Sequence, residues 1–215
     1  DAVGAAHGVV QGGHESEPEP FVCVSLSGGV DSMVVAKILT VLRDRCAKEL
    51  GAFRVVAMHI DYANREESVL EAEYVEWWCK QVGIEFHKRV IDEVTRGITA
   101  RDEYEKISRK IRYGFYRETL EKLRGEIKMN PLPDLKSTTI EKQVQVSEPA
   151  WASAVIFGHH RGDIQENVIS NVMRGRGPGE LSGMGPTSHV EGVHVWRPLL
   201  AHDKQRVYDF SRRYG

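Results

Sequence analysis

The stretch FVCVSLSGGVDSMVVAKIL, residues 21–39, decides the fold. Residues 21–26 form a short apolar, β-prone run that predicts a buried strand. From Asp31 to Glu49, Val34, Val35, Ile38, Leu39 and Leu42 recur at helical spacing and predict a helix. The corner between them holds Ser27, Gly28, Gly29, Asp31 and Ser32. Two glycines let the backbone take positive φ and approach a ligand closely. Free N–H groups at a helix start attract phosphate. Ser27 and Ser32 add hydroxyl donors. Asp31 would repel a bare phosphate, so its presence implies a metal ion between the two. The corner therefore reads as a phosphate cradle with a magnesium handle. The plainer alternative is a strand–helix turn with Ser27 or Asp31 as N-cap.

Outward from the corner the pattern alternates. Strands are predicted at 53–60, 84–91, 153–160 and 192–199, and helices at 66–83, 103–124, 161–175 and 203–215. Such alternation means an α/β fold, a parallel sheet covered on both faces. In such a sheet ligands bind at the carboxyl ends of the strands, where the corner lies. Residues 125–150, polar and with three prolines, read as an inserted surface loop, and 174–188 as a Gly-rich loop. Residues 1–20, Gly-rich and then acidic and Pro-rich, read as a flexible lead-in. There is no internal repeat.

The chain has 215 residues, 29 Lys plus Arg and 31 Asp plus Glu, so global charge does not predict nucleic-acid binding. Cys23, Cys46 and Cys79 form no ligand-spaced cluster and read as reduced structural thiols. No apolar run reaches the ~20 residues of a membrane span. The expected location is cytoplasmic or the matrix of an organelle, a reducing compartment, without secretion. No G-x-x-x-x-G-K-[ST] occurs, and GRGPG at 175–179 follows no strand, which sets aside the common nucleotide loops.

SGGVDS resembles the SGGxDS signature of the PP-loop ATP pyrophosphatases. MHIDYANREES, SRKIRYGFY, IFGHHRGDIQENV and WRPLL follow in the order seen in bacterial tRNA(Ile)-lysidine synthetases and tRNA cytidine thiolases. The resemblance spans roughly residues 21–215. It implies a three-layer α/β/α domain of the adenine nucleotide alpha hydrolase type, with a five-stranded parallel sheet in the order 3-2-1-4-5. It implies ATP and Mg2+ as cofactors. It also implies a reaction in which a tRNA base, cytidine in these families, attacks the α-phosphate, pyrophosphate leaves, and a second nucleophile displaces AMP.

By this resemblance Ser27, Gly28, Gly29, Asp31 and Ser32 hold pyrophosphate and metal, His59 lies near the adenine or α-phosphate, and His159 contacts phosphate or substrate. Arg112 neutralises charge developing on the α-phosphate. A solvated helix face is its alternative, and more so that of Arg109. The family form GHHxDDxxET has Gly162 in place of its first Asp and Asn167 in place of its Thr. Asp163 and Glu166 remain, and Asp163 is expected to share the magnesium with Asp31. Asp61 stands where most relatives have Asn. Arg197 matches the arginine of RPLL, with a structural role as its alternative. The thiolases carry a CxxC where this chain has approximately Tyr104 and Ile107, so weight moves to lysine as the nucleophile.

The resemblance therefore implies an ATP-dependent, AMP-forming tRNA-modifying ligase of the lysidine type, with tRNA and free lysine as partners. Two alternatives remain: another PP-loop activity, such as thiolation with partner-supplied sulfur or amide formation on a small molecule, and a catalytically reduced subunit of a larger assembly. A homodimer or such an assembly is the expected quaternary state. The tRNA-binding domains of the bacterial enzymes are expected to be absent or truncated.

Overall fold

The computed structural model describes residues 20–65, 67–129, 154–177 and 184–214. The predicted lead-in and most of the predicted 125–150 loop lie outside these residues.

The chain runs β1 (Phe21–Ser25), α1 (Val30–Arg45), α2 (Ala47–Leu50), β2 (Arg54–Asp61), α3 (Glu67–Gln81), β3 (Glu85–Val90) and α4 (Arg101–Met129). It continues through β4 (Ala154–Ile156), α5 (Arg161–Met173), β5 (Thr187–Val190), β6 (Val193–Trp196) and α6 (Lys204–Tyr214). The strands form one sheet in the order β3-β2-β1-β4-β6-β5. β1 pairs in parallel with β2 and β4, β2 with β3, and β4 with β6.

Strand alternation builds the two core layers. Val24, Val55 and Ala57 face α1 and α3, packing with Val34, Val35, Leu39, Val75, Cys79 and Val207 of α6. Their neighbours Phe21, Cys23, Val56 and Met58 point the other way, onto Tyr113, Tyr116, Leu120 and Leu123 of α4. A side-chain period of two on buried parallel strands requires apolar residues on both faces, which is why FVCV and VVAM are unbroken runs. The result is the expected three-layer α/β/α domain.

Several boundaries differ from the sequence reading. The sheet has six strands, not five, and β5 pairs antiparallel with β6 at its edge. Glu191 and Gly192 join these two strands with φ +49 and +82, as a tight hairpin turn requires. Residues 187 and 188, expected in the Gly-rich loop, therefore lie in β5. The sequence helix over 31–49 is broken at Cys46 into α1 and α2. Helix α4 continues to Met129, into the predicted inserted loop. Strand β4 stops at Ile156 rather than running to the histidine pair. Its extension meets α1: a Cβ on Gly158 would lie 2.7 Å from the Asp31 carbonyl carbon and the Ser32 nitrogen.

The topology fixes where a ligand can sit. From β1 the chain winds through β2 to β3 on one side, then crosses to β4 and β6 on the other. The carboxyl ends of β1 and β4 thus flank a switch-point crevice.

Candidate functional site

The Ser-Gly-Gly corner leaves β1 at this crevice. Gly28 has φ +84, and a Cβ there would lie 3.1 Å from Val75 Cγ2, so only glycine fits both conformation and space. The two serine hydroxyls knit the turn. Ser27 N–H donates to Ser32 Oγ (3.1 Å), Ser32 Oγ donates to the Gly29 carbonyl (2.9 Å), and Gly29 N–H donates to Ser27 Oγ (3.3 Å). The hydroxyls themselves are 3.0 Å apart. The N-cap of α1 is Gly29, with no side-chain cap. Neither Ser27 nor Asp31 fills that role, so the plainer alternative fails in its specific form. The start of α1 keeps its N–H groups available to an anion.

Asp31 stands in the first turn of α1. Its Oδ2 accepts from Lys204 Nζ of α6 at 2.5 Å. Its Oδ1 is buried without a hydrogen-bond partner, 3.9 Å from His160 Nε2. Across the crevice His160 is the N-cap of α5. Its Nδ1 accepts from Gly162 N–H (2.9 Å), while Asp163 Oδ2 accepts from His160 N–H (2.6 Å), a reciprocal capping box. A Cβ on Gly162 would lie 2.7 Å from His160 Cε1. The glycine that replaces the family aspartate therefore makes room for this histidine ring.

Arg112 reaches the cleft from α4. It donates to Tyr62 Oη at 3.2 Å and stacks over Tyr113 at 5.3 Å. Its Nε is buried without a partner. It has no carboxylate partner among the described residues. Burial opposes its charge, but Tyr62, Tyr116 and Tyr113 outweigh burial and hold its pKa above the ordinary arginine value. His159 stacks on Phe157, ring centroids 5.4 Å apart, and its Nδ1 is buried and unpartnered. Burial pushes its pKa below the usual histidine range, and the cations Arg197 and Arg112 act in the same direction.

Ser27, Asp31, Ser32, Tyr62, Arg112, His159 and Asp163 line one cleft of about 230 Å³. A second hollow of about 490 Å³ shares Ser27, Ile60 and Tyr62 with it, and is lined by His59, Asp61, Asn64 and Arg96. His59 is buried there, its Nδ1 2.7 Å from the Leu26 carbonyl. The structure thus brings six of the expected residues into one cleft and His59 into the hollow beside it. Gly28 and Gly29 form the adjoining turn.

Others fall elsewhere. Arg109 is half exposed and lies 3.7 Å from Glu191. Arg197 is buried but donates to the Gly185 carbonyl and Ser188 Oγ, bracing the β5–β6 hairpin. Asp61 lines the hollow with His59, but its carboxylate accepts from Ala63 N–H at 2.8 Å and shapes the turn after β2. Glu166 is exposed and does not line the cleft. Sequence reasoning missed Tyr62 and Lys204. Neither stands out locally, since only the fold brings α6 to Asp31 and β2 to Arg112.

Among the described residues no group of three or more His, Cys, Asp or Glu is arranged to hold a metal. Asp31 and Asp163 supply two carboxylates, and Asp31 has an orphaned buried oxygen. That donor set fits a hard divalent cation whose remaining ligands are phosphate oxygens and water. No helix among the described residues is long and apolar enough to cross a membrane.

Comparison with known proteins places this geometry in context. The PP-loop domain family matches residues 9–128 and 140–215. The tRNA(Ile)-lysidine synthase of Thermotoga sp. (strain RQ2) is 26% identical over 199 residues, 93% of this chain and 39% of that protein. The tRNA(Ile)-lysidine synthase of Nitratidesulfovibrio vulgaris is 30% identical over 194 residues, 89% of this chain and 46% of that protein. The chain thus spans less than half the length of these curated relatives. The U34-tRNA thiolase NcsA from Methanococcus maripaludis, solved with its 4Fe-4S cluster, superposes with TM-score 0.57 at 17% identity. That match covers 92% of this chain and 57% of that one. It is a likeness of fold.

Proposed function

Because the chain belongs to the PP-loop family, we propose that it is an ATP-dependent tRNA-modifying ligase. It adenylates a tRNA base, cytidine, with release of pyrophosphate, and then joins lysine to that base as AMP leaves. The observation that carries this reading is the switch-point cleft. It sets a carboxylate with an orphaned oxygen (Asp31) and a cation without a carboxylate partner among the described residues (Arg112) beside an uncapped Gly-Gly turn.

In this reading the turn from Ser27 to Ser32 takes the β- and γ-phosphates on its backbone N–H groups and hydroxyls. Asp31, with Asp163 across the crevice, would hold Mg2+, which when bound neutralises phosphate charge. The hollow lined by His59 takes the adenosine. Arg112 faces the α-phosphate between the two hollows. The base oxygen attacks that phosphorus, and the bond to the bridging oxygen breaks. Negative charge grows on the non-bridging oxygens, where a guanidinium stabilises it. His159, kept neutral by burial, lends the site an uncharged hydrogen-bonding ring rather than a second cation. The amine of lysine then attacks cytidine C2, AMP departs with the former base oxygen, and the amine gives up its proton.

Sulfur transfer by this chain's own thiols has no support in the structure. Cys23 and Cys79 are buried, and burial pushes both thiols up to about 12. One observation favours the catalytically reduced alternative: His160 fills the space beside Gly162 where the family form carries a carboxylate.

The test is labelled AMP formation from α-labelled ATP and Mg2+, with and without unmodified tRNA and lysine. AMP that requires tRNA, with lysine incorporated into it, is expected. ATP binding without AMP under any of these conditions would overturn the ligase reading for this chain and favour a reduced subunit or a piece of a longer enzyme, which the same assay on the full-length gene product would tell apart.

A further inference from the structure

We propose that Lys204 is an anion-binding residue of the cradle. Its ammonium rests on Asp31 in the free protein and transfers to the pyrophosphate moiety when a divalent cation claims Asp31. This inference rests on the ATP-binding reading of the cleft.

Lys204 opens α6, which packs against α1. Its Nζ lies 2.5 Å from Asp31 Oδ2, and Asp31 is its only carboxylate partner among the described residues. The preceding acid, Asp203, is engaged with Arg161 at 3.0 Å. Nζ also sits 5.2 Å from the centre of the Tyr208 ring, one helical turn on. The aromatic face and the carboxylate hold the ammonium beside Asp31 instead of letting it range through solvent. Both side chains are about one-third exposed or less, 35% for Lys204 and 27% for Asp31.

A staple between two helices would not need Asp31. A surface ion pair of this kind contributes little to stability. Asp31 is also the wrong carboxylate for a staple, because its other oxygen is buried, unpartnered and close to the turn. Magnesium binds carboxylate oxygen at about 2.0–2.1 Å, and a second cation 2.5 Å from the same carboxylate would repel it. Mg2+ on the free Oδ1 would therefore loosen the hold of Asp31 on Lys204. A lysine stem is flexible, and its ammonium can turn to a phosphate oxygen that has arrived alongside. The exchange keeps every charge paired in both states. Before binding, Lys204 neutralises Asp31; afterwards the metal does so, and Lys204 offsets charge on the leaving group. His160 Nε2, 3.9 Å from Asp31 Oδ1, stays on the opposite side of the carboxylate.

The test is calorimetric titration of sodium pyrophosphate into the protein, once with Mg2+ and once with EDTA, with a separate titration of Mg2+ alone. Wild type, Lys204→Met and Lys204→Arg are compared, with circular dichroism as the check on folding. Lys204→Met is expected to weaken pyrophosphate binding about tenfold or more, the effect of losing one charge-assisted hydrogen bond. Free Mg2+ binding should hold or tighten, because its competitor is gone. Lys204→Arg should recover most of the pyrophosphate affinity. If Lys204→Met does not fold, Lys204→Gln makes the same comparison with a neutral donor still facing Asp31. Pyrophosphate affinity within twofold of wild type for the folded neutral variant in the Mg2+ buffer would overturn the inference and leave the ATP reading standing. A wild-type protein that binds no pyrophosphate in either buffer would overturn both.

Discussion

Arg112→Met separates function from stability. The side chain is half buried, with Nε wholly so, and it faces no carboxylate among the described residues. Its compensation is a hydrogen bond to Tyr62 and a ring contact with Tyr113. Losing these costs about 1 kcal/mol for the hydrogen bond and about 0.5–1 kcal/mol for the cation–π contact. Against that, desolvating an ion costs several kcal/mol even after relaxation, and Met recovers part of it while filling similar volume. The tyrosines around Arg112 offset the burial penalty, so the two sides nearly cancel. For a domain of this size about 1 kcal/mol moves Tm by roughly 2–4 °C, so Tm should stay within a few degrees of wild type. Activity should go the other way. Removing one preorganised group from developing negative charge typically lowers kcat about 10²–10³-fold. The assays are thermal unfolding by circular dichroism and labelled AMP release under saturating ATP. A clear drop in Tm with activity falling only in proportion to the folded fraction would refute the reasoning, since Arg112 would then be a packing residue.

Asp31→Ala should keep the fold and bring pyrophosphate release to background, measured by a coupled phosphate assay; normal turnover would remove Asp31 from the site. The buried thiols of Cys23 and Cys79, with pKa values pushed up to about 12, should resist iodoacetamide at pH 8 in the native protein. Cys46, partly exposed, should label first, as read by peptide mass spectrometry, and Cys46→Ser and Cys79→Ser should keep activity. His159 has a folded pKa below its unfolded value of about 6.5, chiefly from burial. Between the two values the unfolded state binds more protons, so stability rises with pH through that window. The contribution is complete above the unfolded pKa and fades as pH falls through the folded one. Urea midpoints measured from pH 7.5 down to 5 should therefore decline in wild type, and less steeply in His159→Gln.

The alternating elements were legible because each is written locally. FVCVSL and FRVVAMHI carry the unbroken apolar pattern of strands buried on both faces, and the helices between them carry their own periodicity. The β5 strand was not, since Thr187–Val190 is short, begins with three polar residues and is flanked by glycines. It becomes a strand only because β6 offers a free edge and Glu191–Gly192 turns tightly. β4 was overextended for the opposite reason: its apolar run continues through Phe157, but contact with α1 at Gly158 ends the ladder.

The Ser-Gly-Gly-Val-Asp-Ser corner, a local constraint on φ and on helix capping, was legible by itself as the place of the proposed anion site. Asp163 shows where local reading stops. Its carboxylate was expected to serve a metal, yet in the fold it also caps α5 through His160 N–H, a duty visible only once the turn is formed. Lys204 shows the same limit over a longer reach. It lies 173 residues from Asp31, and no periodicity, spacing or composition joins the two. Their contact exists because α6 returns to pack on α1 after the sheet is complete. Sequence determines what is settled within a turn or a strand; the pairing of charges across the cleft is settled by topology, because Coulomb and hydrogen-bond energies depend on distance in space and not along the chain.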